Sequence, residues 1–234
     1  MSWDWEVILK YYPRLLDGAW LTIELVVISG LIGIVMALPL ALGRISKYRS
    51  VQTVPYLFIY FFRGTPLLIQ IFLIYYGSAQ FDIIRESSLW AVLKQPYWCA
   101  IIAFSLNTAA YTAELFRGAI QAIPPGEIEA AEALGMSRWT LIRRITLPRM
   151  FGISLPGYSN EVILMLKSSA LASTITLLDL TGMARTIQSR TYTPVEIFTA
   201  AGVIYLVIAA IVIFLFRVLE KRFNRYQGTA PSDS

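Results

Sequence analysis

Glu161 is the most unusual residue of the sequence, because it lies well inside an apolar stretch between residues 151 and 171. A lone carboxylate at the centre of a membrane-spanning helix costs ~2.5–3.5 kcal/mol on insertion scales. On a helix, Met165 and Ser168 share its face, so the carboxylate would look into a path lined by small and polar groups. We therefore predict that Glu161, Met165, Ser168 and the neighbouring Asn160 bind a polar substrate. A structural pairing of Glu161 with a cation on another helix remains the alternative.

Two cationic residues also lie within apolar segments. Lys167 is six residues after Glu161, about 120° around a helix of 3.6 residues per turn, so the two charges are poor partners within one helix. Arg63 belongs to Arg63-Gly64-Thr65-Pro66, where the missing donor of Pro66 and the flexible Gly64 predict a kink or two half-helices. Arg63 could extend toward the headgroups or pair with a freed carbonyl. Alternatively, the segment Arg63 to Pro66 forms a moving constriction near the translocation path. On this interpretation we assign Arg63, Thr65 and Lys167 to a path or gate.

Several kinds of chemistry are excluded by composition. The chain has no histidine and a single cysteine, Cys99, which leaves no imidazole base, no disulfide framework and no expected metal cluster. It lacks a G-x-x-x-x-G-K-[ST] phosphate loop and a G-x-S-x-G nucleophile elbow. We predict no cofactor, no metal and no enzymatic activity, so any ATP hydrolysis must reside in a separate subunit.

The elements that must position these residues are membrane-spanning helices. The sequence is 56% hydrophobic and only 15% charged, against about 25% charged residues in ordinary soluble domains. Apolar segments near the ~20 residues that a bilayer requires recur along the chain. They predict an all-α integral membrane protein with five transmembrane helices, at about Trp20–Leu42, Thr53–Tyr76, Tyr97–Phe116, Phe151–Leu171 and Ile197–Phe216. Residues 78–96 and 173–196 are predicted as outer connections.

The charges at the ends of these segments predict an orientation. One set of loops carries twice as many cations as the other; it holds Arg44, Lys47, Arg49, Arg117, Arg138, Arg143, Arg144, Arg149, Arg217, Lys221, Arg222 and Arg225. The opposite set holds Lys10, Arg14, Arg85, Lys94, Arg185 and Arg190. The positive-inside rule puts the first set in the cytoplasm and the N-terminus outside. Because the cations cluster at segment ends, topology explains the net charge of +5 better than nucleic acid does.

A polar hairpin interrupts this apolar pattern between the third and fourth segments. Pro124-Pro125 precede three glutamates, including Glu129, which suit the positive end of a short helix. Gly135 allows a turn at positive φ, and Ser137 is placed to cap a second short helix that Pro148 is expected to end. The stretch predicts helix, glycine turn and helix outside the hydrocarbon, available to another protein.

The hairpin carries a family resemblance. Glu129-Ala130-Ala131, then Gly135 and Ile145-Thr146-Leu147-Pro148, resemble the EAA loop of ABC-importer permease subunits. Three further segments resemble the polar amino-acid uptake family, closest to its histidine/lysine/arginine/ornithine type: Phe62–Leu67, Asn107–Glu114 and Asn160–Ser173.

The resemblance implies a function and partners. The hairpin would be a cytoplasmic coupling helix in which Glu129, Ala130, Ala131, Gly135 and Pro148 couple the chain to an ATPase. The implied partners are two ATP-binding cassette subunits, a second permease chain and a periplasmic amino-acid-binding protein, together with membrane lipid. We predict a bacterial inner-membrane importer subunit for polar, cationic L-amino acids such as arginine, ornithine, lysine and histidine, working by alternating access.

The domain layout follows from these assignments. Residues 1–18 are predicted as a periplasmic or interfacial segment with aromatic anchors, and 19–220 as the transmembrane domain with its coupling loop at about 119–148. Residues 221–234 are predicted as a cytoplasmic tail. The alternative function is a multi-spanning channel or assembly protein whose hairpin is only a docking surface.

Overall fold

The computed structural model describes residues 5–225, and every regular element within that range is helical. The α-helices are α1 (Trp5–Arg44), α2 (Arg49–Gly64), α3 (Leu67–Phe72), α4 (Asp82–Arg85), α5 (Trp90–Leu93), α6 (Pro96–Gln121), α7 (Pro125–Ala133), α8 (Arg138–Leu141), α9 (Leu147–Ser168), α10 (Leu180–Thr191) and α11 (Pro194–Arg225). Short π-helical turns cover Leu73–Gly77 and Ile142–Thr146, and a 3₁₀-helix covers Ser169–Ile175. The polar tail predicted from Gln227 lies outside the described residues.

The helices account for the five predicted spans. Three of them, α1, α6 and α11, are long and apolar enough to cross a membrane alone. Two bent pairs complete the count if each is taken as one span. The first pair joins α2 to Leu67–Gly77, and the second joins Arg138–Ile175 to α10. The all-α membrane architecture predicted from hydropathy is therefore confirmed.

The second span is broken where Pro66 predicts a break. α2 ends at Gly64, Thr65 and Pro66 are extended, and the following helical unit turns through 104°. Of the two predicted outcomes, a kink or two half-helices, the structure has two half-helices. The sharp turn brings Arg63 and Thr65 to the inner side of the bundle, beside α6 and α9.

α1 and α6 pack closely along their length and form the centre of the bundle. Leu25 and Val26 of α1 share a buried cluster with Ile101 and Phe104 of α6. A Cβ added at Gly33 would lie 2.8 Å from Thr108 Cγ2, so only glycine allows this approach of the two helices. The packing fixes α6 as a rigid wall, and the residues that face the bundle interior are placed along it.

Three predicted boundaries differ from the structure. Residues 1–18 were expected to form a separate interfacial segment, but α1 continues from Trp5 without a break at residue 18. The outer connection expected at 78–96 contains α4 and α5. The connection expected at 173–196 contains α10, a packed helix rather than a loop.

The packing of α10 explains two of these differences, at the start of α1 and at 173–196. Leu180, Ala184 and Ile187 recur at helical spacing and bury against Leu15 and Ala19 of α1 and the start of α11. One side of the first turns of α1 thus packs on α10 and α11. Asp179 caps α10 by accepting hydrogen bonds from the backbone N–H groups of Thr181 and Gly182, at 3.1 and 3.2 Å. α10 was not predicted from the sequence because the mean hydropathy of this segment is low, although the spacing of its apolar residues indicates a helix.

We expect Gly33→Ala to destabilise the protein, because its Cβ would overpack against Thr108 at a cost of ~1–3 kcal/mol. Gly202→Ala in α11 is the matched control, since nothing lies within 4 Å of the added Cβ. That variant should be neutral or gain up to about 1 kcal/mol from helix propensity. The measurement is thermal unfolding of the purified protein in detergent. Equal melting temperatures for the two variants would contradict the close approach of α1 and α6.

Candidate functional site

A cavity of about 480 Å³ lies between the break in the second span, α6 and α9. The break contributes Arg63 and Thr65, and α9 contributes Glu161, Met165 and Ser168. Five of the seven predicted substrate and path residues therefore line one space. They come together because the turn at Pro66 directs the end of α2 toward the face of α9 that carries Glu161.

Glu161 is partly buried on the α9 wall of this cavity. It forms no salt bridge within 4 Å with a cation among residues 5–225, and Arg63 is the described cation whose charge acts on it from a distance. Met165 lies one turn further along α9, and its sulfur accepts a hydrogen bond from the Thr108 hydroxyl at 2.9 Å. That hydrogen bond links α9 to α6 about one helical turn from the Glu161 carboxylate.

Arg63 occupies the opposite wall and is exposed. Its guanidinium carbon lies 5.1 Å from the centre of the Tyr111 ring, within the range of a cation–π interaction. One wall of the cavity thus carries a guanidinium and the other a carboxylate. An amino acid carries the complementary pair of charges, so the cavity can orient one electrostatically.

A second cavity of about 430 Å³ adjoins the first and shares Arg63, Gly64 and Tyr111 with it. It also reaches Glu114 of α6 and Arg44 at the end of α1. Glu114 accepts salt bridges from Arg117 at 2.8 Å and from Arg44 at 3.3 Å. Glu114 and Arg117 are three residues apart on α6, so their salt bridge is local, whereas Arg44 reaches Glu114 from α1. Arg63 and Tyr111 therefore lie at the boundary between two polar spaces.

Asn160 and Lys167 are not among the residues that line the first cavity. Both are exposed on another side of α9, and Leu164, which lies between the two sides, lines the edge of the cavity. The structure therefore separates them from Glu161, Met165 and Ser168. Their assignment to substrate binding and to the path stays a prediction for the assembled transporter.

Four polar residues of the site were not predicted. Asn107, Thr108 and Tyr111 line the cavity from α6, and Gln70 of α3 is buried behind the break. Asn107, Tyr111 and Glu114 follow one another at helical spacing, which is a signal for a single polar stripe on α6. Gln70 gives no such signal, because its role depends on the turn that precedes it.

The polar hairpin has the predicted geometry. Pro125 opens α7, Gly135 has φ of +74°, and the Ser137 hydroxyl accepts a hydrogen bond from the Thr140 amide at 3.3 Å. Pro148 does not end the second helix as expected. It lies in the first turn of α9, where a missing N–H is tolerated, and the chain stays helical through Ile142–Thr146 into α9.

A groove of about 390 Å³ runs along this hairpin. Ala130, Ala131 and Pro148 line it, whereas Glu129 and Gly135 do not. Glu127 closes one side through a two-pronged ion pair with Arg149, whose hydrogen bonds hold the pKa of the Glu127 carboxyl below its usual value. Leu134, which also lines the groove, and Trp139 are 79% and 71% exposed, so the hairpin has large apolar side chains on its surface.

No group of three or more His, Cys, Asp or Glu side chains within residues 5–225 is arranged to hold a metal ion. The site as described consists of opposite charges, amides, hydroxyls and a thioether around two cavities. This set can bind and orient a polar ligand.

Comparison with known proteins identifies the family of this chain. Residues 29–225 match the family described as the inner membrane component of binding-protein-dependent transport systems. The chain belongs to this family. It is 48% identical to a nopaline transport system permease protein of Agrobacterium fabrum, over 97% of each chain. It is also 44% identical to the histidine/lysine/arginine/ornithine transport system permease protein of Escherichia coli, over 98% of this chain and 99% of the other.

Solved structures agree with this membership. A chain from the crystal structure of an amino acid ABC transporter with histidines superposes with a TM-score of 0.83 at 35% identity, covering 95% of this chain and all of the other. A chain from a bacterial ABC transporter for alginate shares only the fold, at 20% identity and a TM-score of 0.72, over 94% of this chain and 84% of the other. The expected transport subunit without enzymatic activity is confirmed, and the channel or assembly alternative is not favoured.

For this permease, we expect Gly135→Val to abolish uptake while the chain still inserts, because a β-branched residue strongly disfavours positive φ. The space around Gly135 is open, so the effect is one of backbone conformation alone. Gly135→Asn is the matched control, since asparagine tolerates the left-handed region. The measurement is substrate uptake normalised to the amount of permease in the membrane. Normal uptake by Gly135→Val at a normal membrane level would refute this role of the turn.

Proposed function

We propose that this permease forms part of the translocation path of an ATP-driven importer for polar, cationic L-amino acids. The observation that carries the proposal is the Glu161 carboxylate, which lines a cavity that Arg63 also lines and makes no direct salt bridge within the described chain. Attraction between charges is stronger in a partly dehydrated cavity than in water. Arginine, ornithine, lysine and protonated histidine supply a side-chain cation, and relatives are named for transport of these amino acids.

Arg63 and Glu161 bind different charged groups of the amino-acid substrate. Arg63 binds the α-carboxylate that all amino acids have, and Glu161 binds the side-chain cation, with Met165 and Ser168 beside it. Thr65 completes the wall next to Arg63. Asn160 and Lys167 contribute from the exposed face of α9, where a second permease chain closes the path. This division assigns charge selectivity to α9 and amino-acid binding to the helix break.

The partners follow from the surfaces of the chain and from its family. The family description includes a binding protein, and here that is a periplasmic amino-acid-binding protein. Two ATP-binding cassette subunits complete the importer, and one of them docks on the hairpin groove of this chain through Ala130, Ala131 and Pro148, with Glu129 and Gly135 shaping the contact. The second permease chain is identical or homologous. The positive-inside rule supports a bacterial inner membrane, with the N-terminus in the periplasm and the C-terminus in the cytoplasm.

The proposal is tested by Glu161→Gln, which removes the charge with little change of shape. Arginine and citrulline are compared because citrulline has nearly the same shape without the cation. Equilibrium binding to the purified transporter without its binding protein isolates the selectivity of the permease. We expect arginine binding to weaken about tenfold, the effect of ~1.4 kcal/mol, and citrulline binding to change little.

The other outcomes are informative. Full arginine transport by an intact Glu161→Gln complex would show that this carboxylate does not select the substrate. Equal weakening for arginine and citrulline would show that Glu161 binds the α-ammonium group instead. Loss of complex yield would indicate that Glu161 pairs with a cation in the assembly, because that cation would be left buried and unpaired. Yield and binding are therefore measured on the same preparation.

A second prediction concerns Arg63 and Tyr111 as a gate between the two cavities. Tyr111→Leu removes the ring that holds the guanidinium, an interaction of ~0.5–2 kcal/mol. We expect this variant to hydrolyse ATP in the absence of substrate, because the boundary no longer closes. Tyr111→Phe keeps the ring face and should behave like the native permease. Basal ATPase activity of reconstituted complexes is the measurement, and equal activity for both variants would contradict the gate.

A further inference from the structure

The break in the second span leaves backbone carbonyls that its own helix cannot satisfy. The Phe62 carbonyl would accept from the amide of residue 66 in a continuous helix, but that residue is Pro66 and has no N–H. Thr65 and Pro66 are extended, so the helical ladder ends here. An unpaired carbonyl at membrane depth costs several kcal/mol, so a donor from elsewhere is required.

Gln70 supplies that donor from α3. It is only 2% exposed, and its amide nitrogen lies 2.9 Å from the Phe62 carbonyl oxygen and 3.0 Å from that of Thr65. The same nitrogen lies 2.8 Å from the Thr65 hydroxyl oxygen, which itself donates to the Phe61 carbonyl at 2.8 Å. One buried side chain thus contacts three oxygens on the segment that carries Arg63.

Asn107 supplies a second amide from α6. Its nitrogen donates to the Phe62 carbonyl at 3.2 Å and to the Gln70 side-chain oxygen at 3.1 Å. A carbonyl only accepts, so the Phe62 and Thr65 oxygens require amide nitrogens on the side that faces them. Gln70 must therefore turn its oxygen toward Asn107, and Asn107 must turn its nitrogen toward both. The backbone carbonyls fix the orientation of both amides.

This orientation leaves one polar atom uncommitted. Both amide hydrogens of Asn107 are used within the break, and its oxygen has no hydrogen bond to a described residue. Asn107 also lines the first cavity, opposite the wall that carries Glu161. The oxygen is a neutral acceptor with a fixed direction, suited to an ammonium or guanidinium donor.

We propose that Gln70 and Asn107 are positioning residues of the transport site: they replace the donor that Pro66 removes, hold Arg63 on the cavity wall, and present the Asn107 oxygen to the cationic group of the substrate. The role of that oxygen rests on the proposed import of cationic amino acids. The hydrogen bonds that hold the break do not depend on it. The two parts are therefore tested by different measurements.

Gln70→Met tests the first part, because methionine has a similar shape but no donor. Hydrogen exchange of the segment 61–70 in the purified transporter should accelerate about tenfold, since it loses its buried hydrogen bonds. Gln80→Met, the same change at an exposed residue, is the control and should leave that segment unchanged. Gln70→Glu keeps the acceptor for Asn107 but loses both donors, and should accelerate exchange as well if Gln70→Met does not assemble.

Binding of radiolabelled arginine to the same preparations tests positioning. We expect at least about fivefold weaker binding for Gln70→Met and for Asn107→Leu, with complex yield close to native. Accelerated exchange with unchanged arginine binding would show a purely structural role and overturn the positioning. Unchanged exchange in Gln70→Met would overturn the inference altogether. Failure of the proposed function would appear separately, as unchanged arginine binding in Glu161→Gln.

Discussion

The requirement that every backbone polar group within the membrane finds a partner in the protein governs this structure. A continuous helix meets it without help, but Pro66 removes one donor in the middle of the second span. The chain turns through 104° there, and Gln70 and Asn107 satisfy the carbonyls that the turn exposes. A break held by buried amides can place a charged residue such as Arg63 at a defined point, which a flexible loop cannot do.

The break and α6 together determine where polar chemistry occurs. α6 is fixed against α1 by the close approach at Gly33, and its polar stripe runs from Asn107 through Tyr111 to Glu114. Each residue of the stripe contacts a different group. Asn107 hydrogen-bonds to the break, Tyr111 packs against the Arg63 guanidinium, and Glu114 forms salt bridges with both Arg44 and Arg117. Two adjoining cavities with a shared boundary are the geometric result. The arrangement places two polar spaces next to each other along one helix.

Much of this could be predicted from single residues, because their effects are local. The φ of Gly135, the cap at Ser137 and the break at Pro66 depend on backbone chemistry within a few positions. The face shared by Glu161, Met165 and Ser168 depends on helical periodicity alone. Gln70 could not be predicted in this way, because its role depends on a tertiary contact. α10 was missed because its hydropathy is low, although its apolar residues recur at helical spacing. Pro148 was misread because a proline is compatible with the first turn of a helix as well as with its end.

The two faces of α9 show why one chain forms only part of a path. Glu161 faces the cavity within the chain, whereas Asn160 beside it and Lys167 in the last turn of the same helix are exposed. Charged and amide side chains are costly against lipid, and they normally face protein or a water-filled space. The exposed side of α9 therefore requires a polar surface or a water-filled space opposite it, which is why we propose that a second permease chain packs there.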